Sequence, residues 1–217
     1  MLSNSLLVGT KDGYIAEYTL GDFSQLGMSE VNMAMDSMRV SNGLENLLLL
    51  GDSSSFKSKL WRITTSDTPP LAAPQSSRRG FAFEPLLELA GASPEFNRSN
   101  DLVATVAAKN AFIYSSDTGT QLRRLEANKS SEDTGNAWVQ RNDNASFSPD
   151  EHLVLYDCCL WDLRSGRQVH RFDRLSKHSR GVFVPTGLEL IINSEVWDMR
   201  TLKLLYSVPL LNQVHLS

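Results

Sequence analysis

The sequence predicts an all-β chain, an incomplete β-propeller of the WD-repeat kind with about four to five blades. Three observations predict it. A short phrase occurs twice, Leu160-Trp-Asp-Leu-Arg164 and Val196-Trp-Asp-Met-Arg200, which puts Trp161 and Trp197 36 residues apart. A Trp-Asp pair that closes a strand and recurs at about 40 residues is the mark of a propeller blade. Aromatic residues in the same relative place, Tyr18, Trp61, Tyr114, Trp161 and Trp197, recur at spacings of 43, 53, 47 and 36. Each lies in a short β-rich run bounded by Gly, Asn, Asp or Ser, residues that favour turns.

Taken in order, the first blade spans 1–31. Leu6-Leu-Val-Gly-Thr10 and Tyr14-Ile-Ala-Glu-Tyr18 read as its middle strands, with no opening strand before them. The second spans 32–90 and contains Met33–Arg39, Leu47–Gly51 and Lys59-Leu-Trp61; Glu84–Ala90 is read as a strand rather than a short helix. The third spans 91–127, with Glu95-Phe96 in its opening strand, then Leu102–Ala107, Ala111–Tyr114 and Ser116–Leu125. The fourth spans 143–174 and is the clearest, with Ala145-Ser-Phe-Ser-Pro149, His152–Tyr156, Cys158–Asp162 and Gln168–Phe172. The fifth spans 179–210 and repeats that order from Gly181-Val-Phe-Val-Pro185 to Tyr206. Residues 64–80 and 128–142 are polar insertions that cannot bury enough surface to offset their ordering entropy, so both read as exposed loops. Trp138, inside the second, reads as an anchor tucked back on its loop, with a partner contact as the other reading. Residues 213–216 look like the start of a further blade. The chain is therefore expected to be open at both ends, whereas closed rings commonly hold seven blades.

The formal net charge of −4 gives no bulk positive field, so direct binding to nucleic acid is not expected. The basic pairs Arg78-Arg79 and Arg123-Arg124 read as solvated faces. The run Leu47–Leu50 is far too short to span a bilayer, and the N-terminus lacks a basic leader, so no membrane partner is expected. Cys158 and Cys159 are the two cysteines and are neighbours, and adjacent strand residues point to opposite faces. A disulfide between them would be strained, which suggests a reducing compartment, cytosol or nucleus.

The four histidines His152, His170, His178 and His215 lack metal-ligand spacing, so neither a metal nor a cofactor is expected. No nucleophile elbow, phosphate-cradling loop or kinase phrase occurs, which points away from an enzyme. A small enzymatic propeller would require carboxylates converging on a central channel. Asp162 with Arg164, and Asp198 with Arg200, remain. On a plain structural reading each Asp shapes the turn after the third strand, and each Arg pairs with it or with water at roughly 0–1 kcal/mol. On a functional reading, adjacent blades set Arg164 and Arg200 side by side on one rim as a cationic fork. The planar donor set of arginine suits docking on carboxylates and carbonyls.

Trp-Asp-x-Arg at a blade end is the box of WD-repeat substrate receptors that dock on the damaged-DNA-binding-protein adaptor of cullin-4 ubiquitin ligases. The run from Arg180 to Tyr206, together with Ala145–Pro149, Leu160–Ser165, Phe112-Ile-Tyr114 and Asp117-Thr-Gly119, resembles the C-terminal propeller of the Vpr-binding protein family. Leu6–Gly13 and Leu60-Trp61 fit the same register. The likeness is tight over 144–208 and loose before about 95. It implies a non-enzymatic substrate-receptor subunit with Trp161, Asp162, Arg164, Trp197, Asp198 and Arg200 as the adaptor-docking set. It further implies protein substrates presented for ubiquitination and a nuclear location, with the cytoplasm as a second. The family's helical-repeat region, LisH motif and acidic tail have no counterpart in the sequence, so part of the C-terminal propeller is expected. The other reading is a WD-repeat scaffold for protein complexes with no link to a ligase.

Overall fold

Runs such as Leu47–Leu50 and Leu153–Tyr156 are apolar at successive positions, so burial is complete only where both faces of the strand are covered. Sheets stacked face to face meet that demand. A computed structural model describes residues 5–43, 45–65, 81–107, 110–126, 144–172 and 181–210. Residues 66–80, the expected loop 128–142 with Trp138, Arg78-Arg79, His178, His215 and residues 213–216 lie outside the described residues.

Among the described residues there is no α-helix, and the strands form five antiparallel sheets in which each strand pairs with its chain neighbour. The first sheet has three strands, β1 (Ser5–Gly9), β2 (Tyr14–Thr19) and β3 (Gln25–Glu30). The second has β4 (Ser37–Val40), β5 (Leu47–Asp52), β6 (Lys57–Thr65) and β7 (Phe81–Ala90), so 84–90 is strand as expected. The third has β8 (Ala92–Phe96), β9 (Leu102–Ala107), β10 (Asn110–Ser115) and β11 (Gln121–Glu126). The fourth has β12 (Ser146–Phe147), β13 (Leu153–Tyr156), β14 (Cys159–Asp162) and β15 (Gln168–Arg171). The fifth has β16 (Gly181–Phe183), β17 (Glu189–Ile192), β18 (Glu195–Asp198) and β19 (Lys203–Ser207). The all-β class predicted from the sequence is the class observed, and four-stranded meanders in succession are consistent with an incomplete β-propeller.

The chain divides at Ala92/Ser93 into two compact units. In the first, Ile15, Val31 and Met35 pack with Leu48, Leu50, Trp61 and Ile63. In the second, two clusters meet on the fourth sheet. Cys159 and Trp161 lie with Ala104, Ile113 and Leu125 of the third sheet, whereas Cys158 and Leu160 lie with Phe183, Leu190 and Trp197 of the fifth. Alternation along β14 thus covers both faces of one strand. The two cysteines serve opposite interfaces, and neither is in a disulfide. Leu48, Leu160 and Leu190 are at most 1% exposed, and each such burial contributes about 1.5–3 kcal/mol. The exposed ion pairs contribute far less, so sheet stacking dominates stability.

The five aromatic markers share one backbone feature. The pairing of third and fourth strands shifts register at Glu17/Tyr18, Leu60/Trp61, Ile113/Tyr114, Leu160/Trp161 and Val196/Trp197. Each marker therefore sits at a β-bulge, which leaves one extra residue on the fourth strand and raises the local twist. In the second unit the extra residues are Leu122, Val169 and Leu205, exposed by 43%, 53% and 47%.

Candidate functional site

The two boxes lie where β14 turns into β15 and where β18 turns into β19. Both turns close with the same hydrogen bonds and the same backbone. Gly166 N–H donates to the Asp162 carbonyl and Leu202 N–H to the Asp198 carbonyl, each at 2.8 Å. The closing residues are left-handed, Gly166 at φ 68° and Leu202 at φ 55°. The turn between β10 and β11 is built alike, with Gly119 at φ 67° donating to the Ser115 carbonyl at 2.9 Å. Between β2 and β3, Phe23 takes the left-handed place at φ 53°. Aligned on these residues, the position of Arg164 and Arg200 is held by Asp117 in the third sheet and Gly21 in the first. The turn consequently forms without arginine.

Each box aspartate is occupied by its own turn. Asp162 accepts the Ser165 N–H at 2.6 Å. That bond, then the Ser165 hydroxyl, and more weakly the nearby Arg164 charge hold its carboxyl below the ordinary value. Asp198 accepts the N–H groups of Arg200 at 2.7 Å and Thr201 at 3.1 Å, and these two donors, in that order, lower its carboxyl likewise. Such Asx-type bonding is what short polar side chains do in turns. Arg200 bends back to Asp198, Nη2 to Oδ2 at 3.4 Å, while its side chain stays 76% exposed. Arg164 is exposed as well. Trp161 and Trp197 are buried, 7% and 8% exposed. A partner touching a box meets the arginine and the rim of the turn, and the indoles support the turn from beneath. The Trp161 Nε1–H donates to the Tyr156 carbonyl at 3.4 Å, whereas Trp197 Nε1 is buried without a hydrogen-bond partner among the described residues.

The geometry also recruits a residue that the sequence analysis read as part of a solvated face. Arg123, on β11 of the neighbouring sheet, donates from Nη2 to the Arg164 carbonyl at 2.9 Å and from Nη1 to the Leu122 carbonyl at 2.8 Å. Its side chain passes over Gly166, where a Cβ would stand 3.5 Å from Arg123 Cδ. Two further clips join the same sheets. Glu151 accepts from Ser99 N–H at 2.6 Å and from Ser99 Oγ at 3.0 Å, and Ser146 Oγ donates to Glu95 at 3.0 Å. Nothing in the sequence marks these partners as neighbours. Between the third and fourth sheets, beside the first box, lies a groove of about 610 Å³.

Among the described residues, no group of three or more His, Cys, Asp and Glu side chains is placed to hold a metal ion. No helix there is long and apolar enough to cross a membrane, which says nothing of strands.

No protein-family model matches the chain. Over 218 positions, 99% of this chain, it is 29% identical to the DDB1- and CUL4-associated factor homolog 1 of Arabidopsis thaliana, of which it spans 11%. It is 49% identical over 75 residues, 34% of this chain and 4% of the relative, to the Caenorhabditis elegans protein of the same name. Protein mahjong of Drosophila melanogaster is 48% identical over 69 residues, 32% of this chain and 4% of that protein. The chain is a relative of these proteins, as the resemblance to the Vpr-binding protein family implies, and spans about a tenth or less of their length.

Proposed function

We propose that this chain, as a relative of the DDB1- and CUL4-associated factors, is part of a non-enzymatic substrate receptor of a cullin-4 ubiquitin ligase. It docks on the DDB1 adaptor through Arg164 and Arg200 and supports the presentation of protein substrates, in the nucleus. The observation that carries the reading is the box itself. Two consecutive sheets close their third strands with the same turn, and both place arginine where like turns hold Asp117 and Gly21. End-to-end similarity to a relative named for DDB1 and CUL4 supports it. Arginine at the exposed corner of a turn is a suitable docking group because its planar fork is pre-organised, so less entropy is lost per hydrogen bond formed, and arginine is among the residues that carry most of an interface's energy.

The test is co-purification with DDB1. Arg164→Ala combined with Arg200→Ala is expected to abolish capture while leaving the unfolding transition where it was. Undiminished capture by the folded double variant overturns the reading. The alternative, a WD-repeat scaffold with purely structural boxes, draws on the inward bonding of Asp162 and Asp198, and predicts that the double variant keeps every partner.

A further inference from the structure

The groove beside the first box has a makeup that the two-arginine reading does not use. Its apolar floor is Leu102, Ile113, Leu122 and Leu163, with Leu122 43% exposed on its bulge. Arg123 and Arg164 stand on its rim, from neighbouring sheets. The two acids that also line it face backbone donors. Asp162 is bonded to Ser165 N–H and Glu151 to Ser99. The two Arg123 donors that are engaged bond neutral carbonyls, so its charge is not matched by those bonds. Both carboxylates keep their charge but spend oxygens on N–H groups; with two guanidiniums at its rim and an aliphatic floor, the surface complements a segment carrying an acid beside an aliphatic side chain. The volume of about 610 Å³ suits a few side chains of an extended strand laid across the opening.

We infer that the docking surface extends from the first box into this groove, and that it takes an extended acidic and aliphatic segment of the adaptor, its carboxylate toward Arg123 and Arg164 and its aliphatic side chain over Leu122. The inference rests on the adaptor-docking reading. Arg123 acts in two ways there. It presents charge, and by bonding the Arg164 carbonyl it fixes the backbone from which the Arg164 side chain leaves. Among the described residues the second box has no such clamp. The residue at the matching place on β15 is His170, whose ring packs edge-on against Phe172 at 4.8 Å.

The probe is purified DDB1 titrated against the whole 217-residue chain. Leu122→Glu, which adds a negative charge at an exposed site, is expected to weaken binding about tenfold. Arg123→Ala is expected to weaken it by as much, and Arg123→Lys to recover part of the loss, because lysine keeps the charge but lacks the planar fork that reaches two carbonyls at once. Met28→Glu, at an exposed apolar site on β3 and outside the groove, is expected to bind as the unaltered chain does. Folding of each variant is checked by its unfolding midpoint. If the Arg164→Ala and Arg200→Ala pair loses binding while folded Leu122→Glu and Arg123→Ala keep it, the groove is overturned and the boxes stand. Equal losses in Leu122→Glu and Met28→Glu also overturn it, as a general effect of charge. If the unaltered chain does not bind, both readings fall together.

Discussion

Gly181→Ala tests the packing of the fourth sheet on the fifth, the two sheets that carry the boxes. Gly181 opens β16 and is held by both polar atoms of Asn144, Nδ2 to its carbonyl at 3.3 Å and its N–H to Oδ1 at 3.4 Å. A methyl group there would lie inside the contact distance of Leu155 Cδ2 and 3.0 Å from the Ile191 carbonyl oxygen. Leu155 is 3% exposed and walled in by Leu160, Phe183 and Ile192, so it has little room to swing aside. Overpacking of this kind costs about 1–3 kcal/mol. Replacing glycine in a strand returns roughly 0.5–1 kcal/mol of backbone entropy. The net expectation is a loss of about 1–2 kcal/mol, or close to tenfold in the folding equilibrium. Urea unfolding followed through tryptophan emission reads it directly, since Trp197 lies in the same cluster. With a slope near 2 kcal/mol/M, the midpoint should fall by about 0.5–1 M. Leu155→Ala makes room for the methyl, so in that background the cost of Gly181→Ala should shrink by about 1 kcal/mol or more. A midpoint that stays or rises, or strict additivity of the two changes, refutes the contact.

Three other outcomes are expected. Gly166→Ala forces a side chain into the left-handed region at φ 68°, and should cost about 1 kcal/mol by equilibrium unfolding while weakening adaptor capture less than Arg164→Ala. Asp162 and Asp198 have folded-state values below the ordinary 3.8. Their contribution is therefore fully present above pH ~4 and is lost as pH falls through the lowered folded value. The stability gap between the unaltered chain and Asp162→Asn with Asp198→Asn should close on acidification from pH ~5 to ~2, and a gap that widens would contradict the sign. Cys158 and Cys159 are 4% and 0% exposed, so both thiols should react with an aromatic disulfide reagent only at the rate of unfolding; fast labelling of either in the native chain would contradict the burial.

The strand order was readable because burial on both faces writes itself as short apolar runs, and because each third strand ends in an aromatic. Tyr18 and Tyr114 show that the place, rather than tryptophan itself, carries the signal. The bulge that all five markers share was not readable. It is a matter of which residue on the fourth strand is left unpaired, and Leu122, Val169 and Leu205 look like ordinary strand residues in the sequence. At the site, the turn-capping role of Asp162 and Asp198 followed from local chemistry and is the geometry observed. Arg123 escaped because its bond to Arg164 spans 41 residues and depends on how two sheets stack. A basic pair on a strand is usually solvated, and nothing short of the stacking distinguishes Arg123 from Arg124, which pairs with Glu126 at 3.2 Å on its own strand.

The third place of the turn is where structure and docking separate. The first place is bound by the turn, as the aspartates show by spending their oxygens on N–H groups two or three residues ahead. The fifth is bound by its left-handed backbone, strongly enough that Leu202 and Phe23 accept strain that Gly119 and Gly166 avoid. The third is held by glycine, aspartate, arginine and arginine in four turns of one shape, so the fold imposes no charge or size there. A residue that the fold leaves open is one that binding can select. The positive charge stands in the two consecutive sheets whose clusters share β14, and in the first of them the neighbouring sheet adds a second guanidinium beside it. Exchanging Asp117 for arginine should accordingly leave stability unchanged within about 0.5 kcal/mol, as for other exposed substitutions. The same exchange would test whether the adaptor reads the number of arginines or only their places, because a third arginine then stands at the third place of an unaltered turn.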